Sequence, residues 1–201
     1  LGTWCPMPEL PEVEYGRKLA AQVAVGRTIT IADCADDPIV FSNVTHKKAN
    51  TILSGREVHA VKRRGKYLWF ELDQKPWPVF HFGMTGCFRT PGDKPLKLAA
   101  GPKESRNEWP PRFWKIRLTA SDGMELVMTD ARRLGRILLR DAPEQEPPLS
   151  KLGFDPFIKP PTTRQLLARL SERRTPIKSL LLDQSFSAGV GNWIADEALF
   201  Q

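Results

Sequence analysis

The 201 residues are enough for one large domain or two small ones with a real core. Apolar residues make up 41% and six are Trp, the balance of a globular protein, and no run approaches the roughly 18 apolar residues a membrane-spanning helix needs. Thirty Lys and Arg against 23 Asp and Glu leave a net charge of +7, which favours a polyanionic partner because these cations gain affinity by releasing phosphate counterions.

Leu1–Pro6 has no periodic pattern and reads as an unstructured tail, or as sequence joined upstream of the true start. It lacks the basic region and apolar core of a secretory signal. Met7-Pro8-Glu9-Leu10-Pro11-Glu12-Val13-Glu14 comes next. If Met7 is a translation start and is removed, Pro8 carries a free secondary amine, and α-amino groups titrate near roughly 7.7–8.0. Such an amine can attack a sugar carbon and form an iminium, with the Glu9 carboxyl beside it for proton transfer. The simpler reading is that Pro8 and Pro11 start a helix with acids in its first turn.

From Pro11 to about Val25, Val13, Gly16, Ala20 and Val23 recur at helical spacing, with Leu19 alongside. Glu14 and Lys18 form an i,i+4 pair on the outer side, and Gly26 stops the helix. Eight short runs come next: Thr28–Ala32, Arg56–Val61, Tyr67–Leu72, Pro78–Phe82, Phe88–Thr90, Phe113–Leu118, Glu125–Met128 and Arg136–Leu139. Turn residues separate them, as in an antiparallel sandwich or barrel. Pro91–Pro111 is expected to be a long surface loop. Asp141–Pro148 turns acidic and proline-rich, which marks a linker. Beyond it Thr162–Arg173, capped by Thr162 or Thr163, Ile177–Leu182 and Asn192–Gln201 read as helices. The expected class is α+β: a helix and antiparallel sandwich over 8–142, a linker over 143–150 and a helical part over 151–201, with 1–7 outside both.

Cys5, Cys34 and Cys87 are far apart and odd in number, so a reducing compartment is expected and no disulfide framework. With only three scattered histidines, no metal site of normal ligand spacing is expected. Four other stretches carry chemistry. Lys62-Arg63-Arg64-Gly65-Lys66 places four cations on a turn that can hold a phosphodiester, or simply be solvated. His81-Phe82-Gly83-Met84-Thr85-Gly86 sets Met84 on a bend, either as core filler or as an exposed plug for the hole left by an extruded base. Thr129-Asp130-Ala131-Arg132-Arg133-Leu134-Gly135-Arg136 offers an arginine to reach a base edge and a leucine to wedge between bases. Gly189-Val190-Gly191-Asn192 opens a helix whose free amides favour an anion, with Asn192 as N-cap, or is a tight turn between packed helices.

Taken together, these motifs resemble the formamidopyrimidine-DNA glycosylase family, the Fpg/Nei class of base-excision repair enzymes. The likeness runs from Met7 to Gln201 and is most specific at Met7–Glu14 and from Leu182-Asp183-Gln184 through Gly189–Glu197. The long Pro-rich loop and Gly153-Phe154-Asp155-Pro156 look more like plant or fungal members. The resemblance implies a helix-plus-sandwich domain followed by a helix–two-turn–helix domain, with duplex DNA bearing oxidised bases or abasic sites between them. It implies removal of oxidised purines and strand cleavage by β,δ-elimination through a Schiff base. By carry-over Pro8 is the nucleophile, Glu9 its partner acid, and Glu12 supports Glu9. Lys66 and Asn192 grip phosphate, and His81, Lys178, Arg132 and Arg133 contact DNA. Met84, Arg132 and Leu134 fill the gap left by the extruded base, Arg132 facing the orphaned partner.

Three departures from the family pattern shape the expectation. A retained Leu1–Met7 makes the Pro8 nitrogen a tertiary amide, which implies a relative that binds damaged DNA without cutting. Leu134 stands where Phe is common, and stacks less well. The family continues past the position of Gln201, so the helical domain is expected to be incomplete. The family's C-terminal hairpin, zinc-bound through four cysteines in bacterial members, is not in this sequence. No cofactor is therefore expected for this chain. A monomer inside the cell is expected, nuclear in a eukaryote. A ribosome- or RNA-binding module would share the basic surface but gives no reason for Pro8-Glu9.

Overall fold

The computed structural model describes residues 7–92 and 108–201. The expected tail Leu1–Pro6 with Cys5, and residues 93–107 of the expected loop, lie outside them.

Helix α1 spans Leu10–Ala24 and starts directly after Pro8-Glu9, with Pro11 in its first turn, where a missing N–H costs nothing. Glu12 Oε2 accepts the Glu9 backbone N–H at 2.9 Å, reaching back across that turn. Leu10, Val13, Gly16, Ala20, Val23 and Ala24 form the buried face, the stripe expected from spacing. Glu14 does not pair with Lys18. It is taken by Arg17 at 2.8 Å and by Arg63 at 3.1 Å, because its face of the helix looks onto the sheet.

The strands are β1 (Thr28–Cys34), β2 (Arg56–Arg64), β3 (Tyr67–Leu72), β4 (Trp77–His81), β5 (Cys87–Arg89), β6 (Trp114–Ala120), β7 (Glu125–Thr129) and β8 (Arg136–Arg140). Their order is β5-β7-β6-β1-β2-β3-β4-β8, antiparallel throughout. β1 and β2 are joined through the pairs Thr28↔Glu57 and Ile29↔Arg56. At this narrow join the sheet folds into two four-stranded halves whose inner faces meet. The ring of Phe88 on β5 lies 5.2 Å from Phe80 on β4 and 6.2 Å from Phe70 on β3. Helix α1 closes the open end by packing on both halves, against β2 and β5. A Cβ at Gly16 would lie 2.8 Å from the Phe82 ring, so the helix seats close only because that position has no side chain. Helix α2 (His46–Leu53) was not read from the sequence. It is capped by Thr45 and buries Ala49 and Leu53, too few apolar positions to show a period.

Leu68, Trp69 and Phe70 are buried in succession on β3, so both faces of that strand are covered. The outer face is covered by the 143–150 segment and the residues just after it. Leu149, in a short 3-10 turn over Leu149–Lys151, packs fully buried with Trp69, Val79 and Leu138. The linker is thus a packed connection. Beyond it lie α3 (Thr163–Ser171), α4 (Ile177–Leu182) and α5 (Asn192–Phe200). Thr162 caps α3, its Oγ1 accepting from the Gln165 amide while Gln165 Oε1 accepts from the Thr162 amide. This helical part is tied together by Gly153 N–H to Gln184 O (2.9 Å), Ala188 N–H to Phe154 O (2.8 Å) and the edge-to-face Phe154 and Phe186 rings.

Candidate active site

Pro8 and Glu9 sit buried at the junction of the two parts. Glu9 is 2% exposed, which for a carboxylate demands partners. The partners come from α5, whose first N–H groups have no acceptor within their own helix. Glu9 Oε2 accepts from Gly191 N (3.0 Å) and Ile194 N (3.0 Å), and Oε1 from Trp193 N (2.9 Å). The N-cap of α5 is Gly191, not Asn192 as the sequence suggested. Asn192 is the first helical residue, its side chain exposed. The helix-opening amides are filled by a carboxylate of the same chain, so an open phosphate cradle is not what they form. Glycine is required at this place: a Cβ on Gly191 would lie 2.2 Å from Glu9 Cδ. Gln184 braces the turn, its Oε1 accepting from Gly189 N and its Nε2 donating to Val190 O.

A cleft of about 520 Å³ opens between the parts, with Pro8, Lys66, Tyr67 and His81 on one side and Lys151, Gln184 and Ser185 on the other. The turn bearing Lys66 is clamped from below. Gly65, at φ 57, donates its N–H to Asp155 Oδ2 at 2.8 Å, and Arg63 donates to the same oxygen at 2.6 Å. Of the four cations read as a phosphate grip, three are committed elsewhere. Lys62 pairs with Glu71 at 2.8 Å, Arg63 is buried between Glu14 and Asp155, and Arg64 donates to the carbonyl oxygens of Leu152 and Gly153. Lys66 alone of the four lines the cleft, half-buried. Burial pushes its ammonium pKa down, and the charge of Glu9 partly opposes that.

His81 ends β4 with its ring 4.6 Å from that of Tyr67. Burial, then the charges of Lys66 and Arg136, push its pKa down to about 4, with Asp130 opposing. Its Nδ1 accepts from Gly83 N at 3.1 Å, so the neutral ring carries its proton on Nε2 as a donor.

Met84, Arg132 and Leu134 stand on two adjoining loops. Arg132 is exposed, Leu134 is 42% exposed and Met84 is half-buried. Arg133 is turned away from them: its guanidinium binds Asp37 with two 3.0 Å bonds, and Asp37 also receives Lys115 at 2.8 Å. Lys178 pairs with Asp196 between α4 and α5. The fold therefore gathers Pro8, Glu9, Lys66 and His81, seats Glu12 behind Glu9, and groups Met84, Arg132 and Leu134 separately. Lys151, Asp155 and Gln184 were not read as site residues. Asp155 and Gln184 lie in stretches that carry the family likeness, but nothing local gives any of the three a role, which exists only once the two parts dock. Among the described residues no group of three or more His, Cys, Asp or Glu is placed to hold a metal, and no helix is long and apolar enough to cross a membrane.

Residues 7–137 match the family model for the formamidopyrimidine-DNA glycosylase N-terminal domain, and residues 152–201 the model for the formamidopyrimidine-DNA glycosylase H2TH domain. A formamidopyrimidine-DNA glycosylase of Arabidopsis thaliana is 37% identical over 195 residues, covering 97% of this chain and 50% of that protein. One from Halalkalibacterium halodurans is 35% identical over 197 residues, covering 97% and 67%. Among solved structures, the MutM (Fpg) protein of Thermus thermophilus aligns with a TM-score of 0.73 at 34% identity, covering 96% of this chain and 64% of that one. A Lactococcus lactis Fpg non-covalently bound to DNA containing an abasic site aligns with a TM-score of 0.75 at 26% identity, covering 95% and 67%. The chain thus spans half the length of the plant relative and about two thirds of the bacterial ones.

Proposed function

Because the chain belongs to the formamidopyrimidine-DNA glycosylase family, we propose that it serves base-excision repair, removing oxidised purines from duplex DNA and cutting the strand at the resulting abasic site. The observation that carries this reading is the pairing of Pro8, at the floor of an interdomain cleft, with a Glu9 carboxylate fixed by three backbone amides. With Pro8 as first residue, its amine attacks C1′ of the damaged nucleotide and the C1′–N bond to the base breaks, the departing base taking a proton from water; the Glu9 carboxylate accepts the proton that the Pro8 nitrogen loses and passes it to the sugar ring oxygen as the C1′–O4′ bond opens to the iminium. The resulting iminium acidifies the adjacent C2′–H. Loss of that proton expels the 3′ phosphate, and a second elimination expels the 5′ one. Amine catalysis of this kind proceeds without a metal, and no cofactor is proposed for this chain.

Lys66 and His81 line the cleft, and the lysine cation and the Nε2–H of the neutral histidine are the groups offered to the phosphates flanking the lesion. Asn192, Lys178 and Arg132 add contacts along the duplex. Extruding the base costs a few kcal/mol, offset by Met84, Arg132 and Leu134 filling the gap. The protein acts as a monomer inside the cell, in the nucleus of a eukaryote.

Borohydride trapping on an abasic duplex tests the reading, using protein shown by intact mass to begin at Pro8. A covalent adduct is expected. Its absence from correctly processed, folded protein would sink the catalytic claim. Any form that keeps Met7, which lines the same cleft, holds the Pro8 nitrogen as an amide and is expected to bind damaged duplex without an adduct.

A further inference from the structure

Asp130 lies just past β7 and is 1% exposed, yet no lysine or arginine side chain is hydrogen-bonded to it among the described residues. Three neutral donors converge on it instead. Oδ1 accepts from Thr85 Oγ1 at 2.9 Å and from Arg132 N at 3.2 Å, and Oδ2 accepts from Gly135 N at 2.6 Å. Thr85 is the neighbour of Met84, and Arg132 and Gly135 bracket Leu134. One buried carboxylate therefore ties the Met84 turn to both ends of the Arg132–Leu134 loop.

The two loops also touch directly. A Cβ at Gly83 would lie 2.4 Å from the Leu134 carbonyl carbon, and the residue takes φ 62, which glycine adopts without strain. A second anchor acts from the other side, where Arg133, at φ 56, binds Asp37. Arg132, Arg133 and Leu134 are all exposed, and the Asp37 contact fixes the middle of the three at the surface.

On the gap-filling role proposed above, we infer that Asp130 is the positioning residue that makes Met84, Arg132 and Leu134 one rigid unit, so that all three enter the DNA stack together. A carboxylate suits the task because it is acceptor-only, and all three groups facing it are donors. An asparagine of the same shape must aim an N–H at one of them.

The test uses a duplex carrying a tetrahydrofuran abasic analogue with 2-aminopurine as its neighbour. Binding is followed by anisotropy, and unstacking by 2-aminopurine fluorescence at saturating protein. Neither readout needs the Pro8 amine. The unaltered chain is expected to raise the fluorescence, and Leu134→Ala to remove most of the rise. Asp130→Asn and Thr85→Val are expected to cut the saturated rise by about half or more while affinity changes by no more than about threefold, because phosphate contacts hold the complex and the wedge sets the unstacking. Thr85→Ser, which keeps the hydroxyl, should restore the signal. A merely structural loss would lower affinity and melting temperature but leave the saturated amplitude intact. If Asp130→Asn does not fold, the Thr85 pair decides. Wild-type amplitude in a folded Thr85→Val overturns the role given to Asp130 while leaving the glycosylase reading in place. No fluorescence rise with the unaltered chain overturns the gap-filling reading, and the role of Asp130 with it.

Discussion

Gly191→Ala isolates the contribution of the α5 amides to the proposed reaction centre. Gly191 sits at φ −120, ψ −169, an extended conformation that alanine adopts freely, so the substitution adds no backbone strain. What it adds is one methyl group, 2.2 Å from Glu9 Cδ and 2.3 Å from Glu9 Oε1. Ordinary contact begins near 3.4 Å, so the carboxylate must retreat by about 1 Å or the start of α5 must swing away. Either movement breaks the bonds from Gly191, Trp193 and Ile194. Hydrogen bonds to a charged group contribute about 1.5–3 kcal/mol each, and water replaces some of them, so a stability loss of about 2–4 kcal/mol is expected.

Excision should fall further than stability alone would suggest. A misplacement of about 1 Å costs about 100-fold, and a positioned general acid contributes about 10²–10⁴-fold. Single-turnover base release from an oxidised-purine duplex, at saturating protein that begins at Pro8, should therefore drop by at least about 100-fold. Urea unfolding measures the stability separately. Glu9→Gln and Gly191→Ala act on the same carboxylate, so the double variant should be little slower than the worse single one. Excision within about threefold of the parent, in a folded Gly191→Ala protein, would refute the idea that the amides set the working position of Glu9. So would full additivity with Glu9→Gln.

Lys66→Ala should weaken binding to abasic duplex and lower the slope of log K against log salt by about 0.9, the signature of one lost phosphate contact. Fluorescence titrations at several salt concentrations measure it. Asp155→Ala leaves Arg63, with its side chain 2% exposed, still held by Glu14 and the Gly65 carbonyl but short of its second carboxylate, and Gly65 N–H without its acceptor. Urea unfolding should show a loss of about 3 kcal/mol, and less when Arg63→Met is added. For Asp37, burial raises the pKa, but hydrogen bonds from Arg133 and Lys115 outweigh it and hold the carboxyl at about 2 against the usual 3.8. A depressed folded-state pKa gives stability that is present above about pH 4 and lost as pH falls from there towards 2, worth about 2 kcal/mol. The stability difference between the parent and Asp37→Asn, followed by thermal melts, should shrink across that window.

Much of the fold was legible because its periodicities are local. The buried stripe of α1 and the β3 run Tyr67–Leu72 carry their signal within one element, and a threonine at 162 or 163 announces the start of α3, which the structure assigns to Thr162. Helix α2 escaped because eight residues with two buried apolar positions fit no template. What was legible was a set of residues that the fold brings together: Pro8, Glu9 and Lys66, expected for catalysis, and His81, expected as a DNA contact. Its wiring was not. Nothing in Lys62-Arg63-Arg64-Gly65-Lys66 distinguishes the lysine that reaches the cleft from the arginine that ends up buried. That distinction is made by Glu14, Glu71 and Asp155, which approach from three other parts of the chain. The Gly189–Asn192 turn carried the signature of an anion site and is one. Its anion is the carboxylate of Glu9, which only docking of the two parts could reveal.

That docking has a mechanistic consequence. Pro8 belongs to the first part, immediately ahead of Glu9 and α1. The donors that fix Glu9 all belong to the second part. Besides the apolar packing of Leu149 and Leu152 on β3, β4 and β8, the seam between them carries polar ties, Arg63 and Gly65 on Asp155 and Arg64 on the Leu152 and Gly153 carbonyls, with Gly189 set close to Leu10. Loosening the seam should therefore separate the two activities proposed for this site. On the proposed mechanism, Schiff-base trapping on a preformed abasic site depends chiefly on the Pro8 amine and should persist, whereas release of an intact damaged base depends on proton transfer through a correctly seated Glu9 and should fail first. The coupling runs through backbone amides that no side-chain substitution removes, so the glycines at 189 and 191 and the acceptor at 155 are where it can be broken.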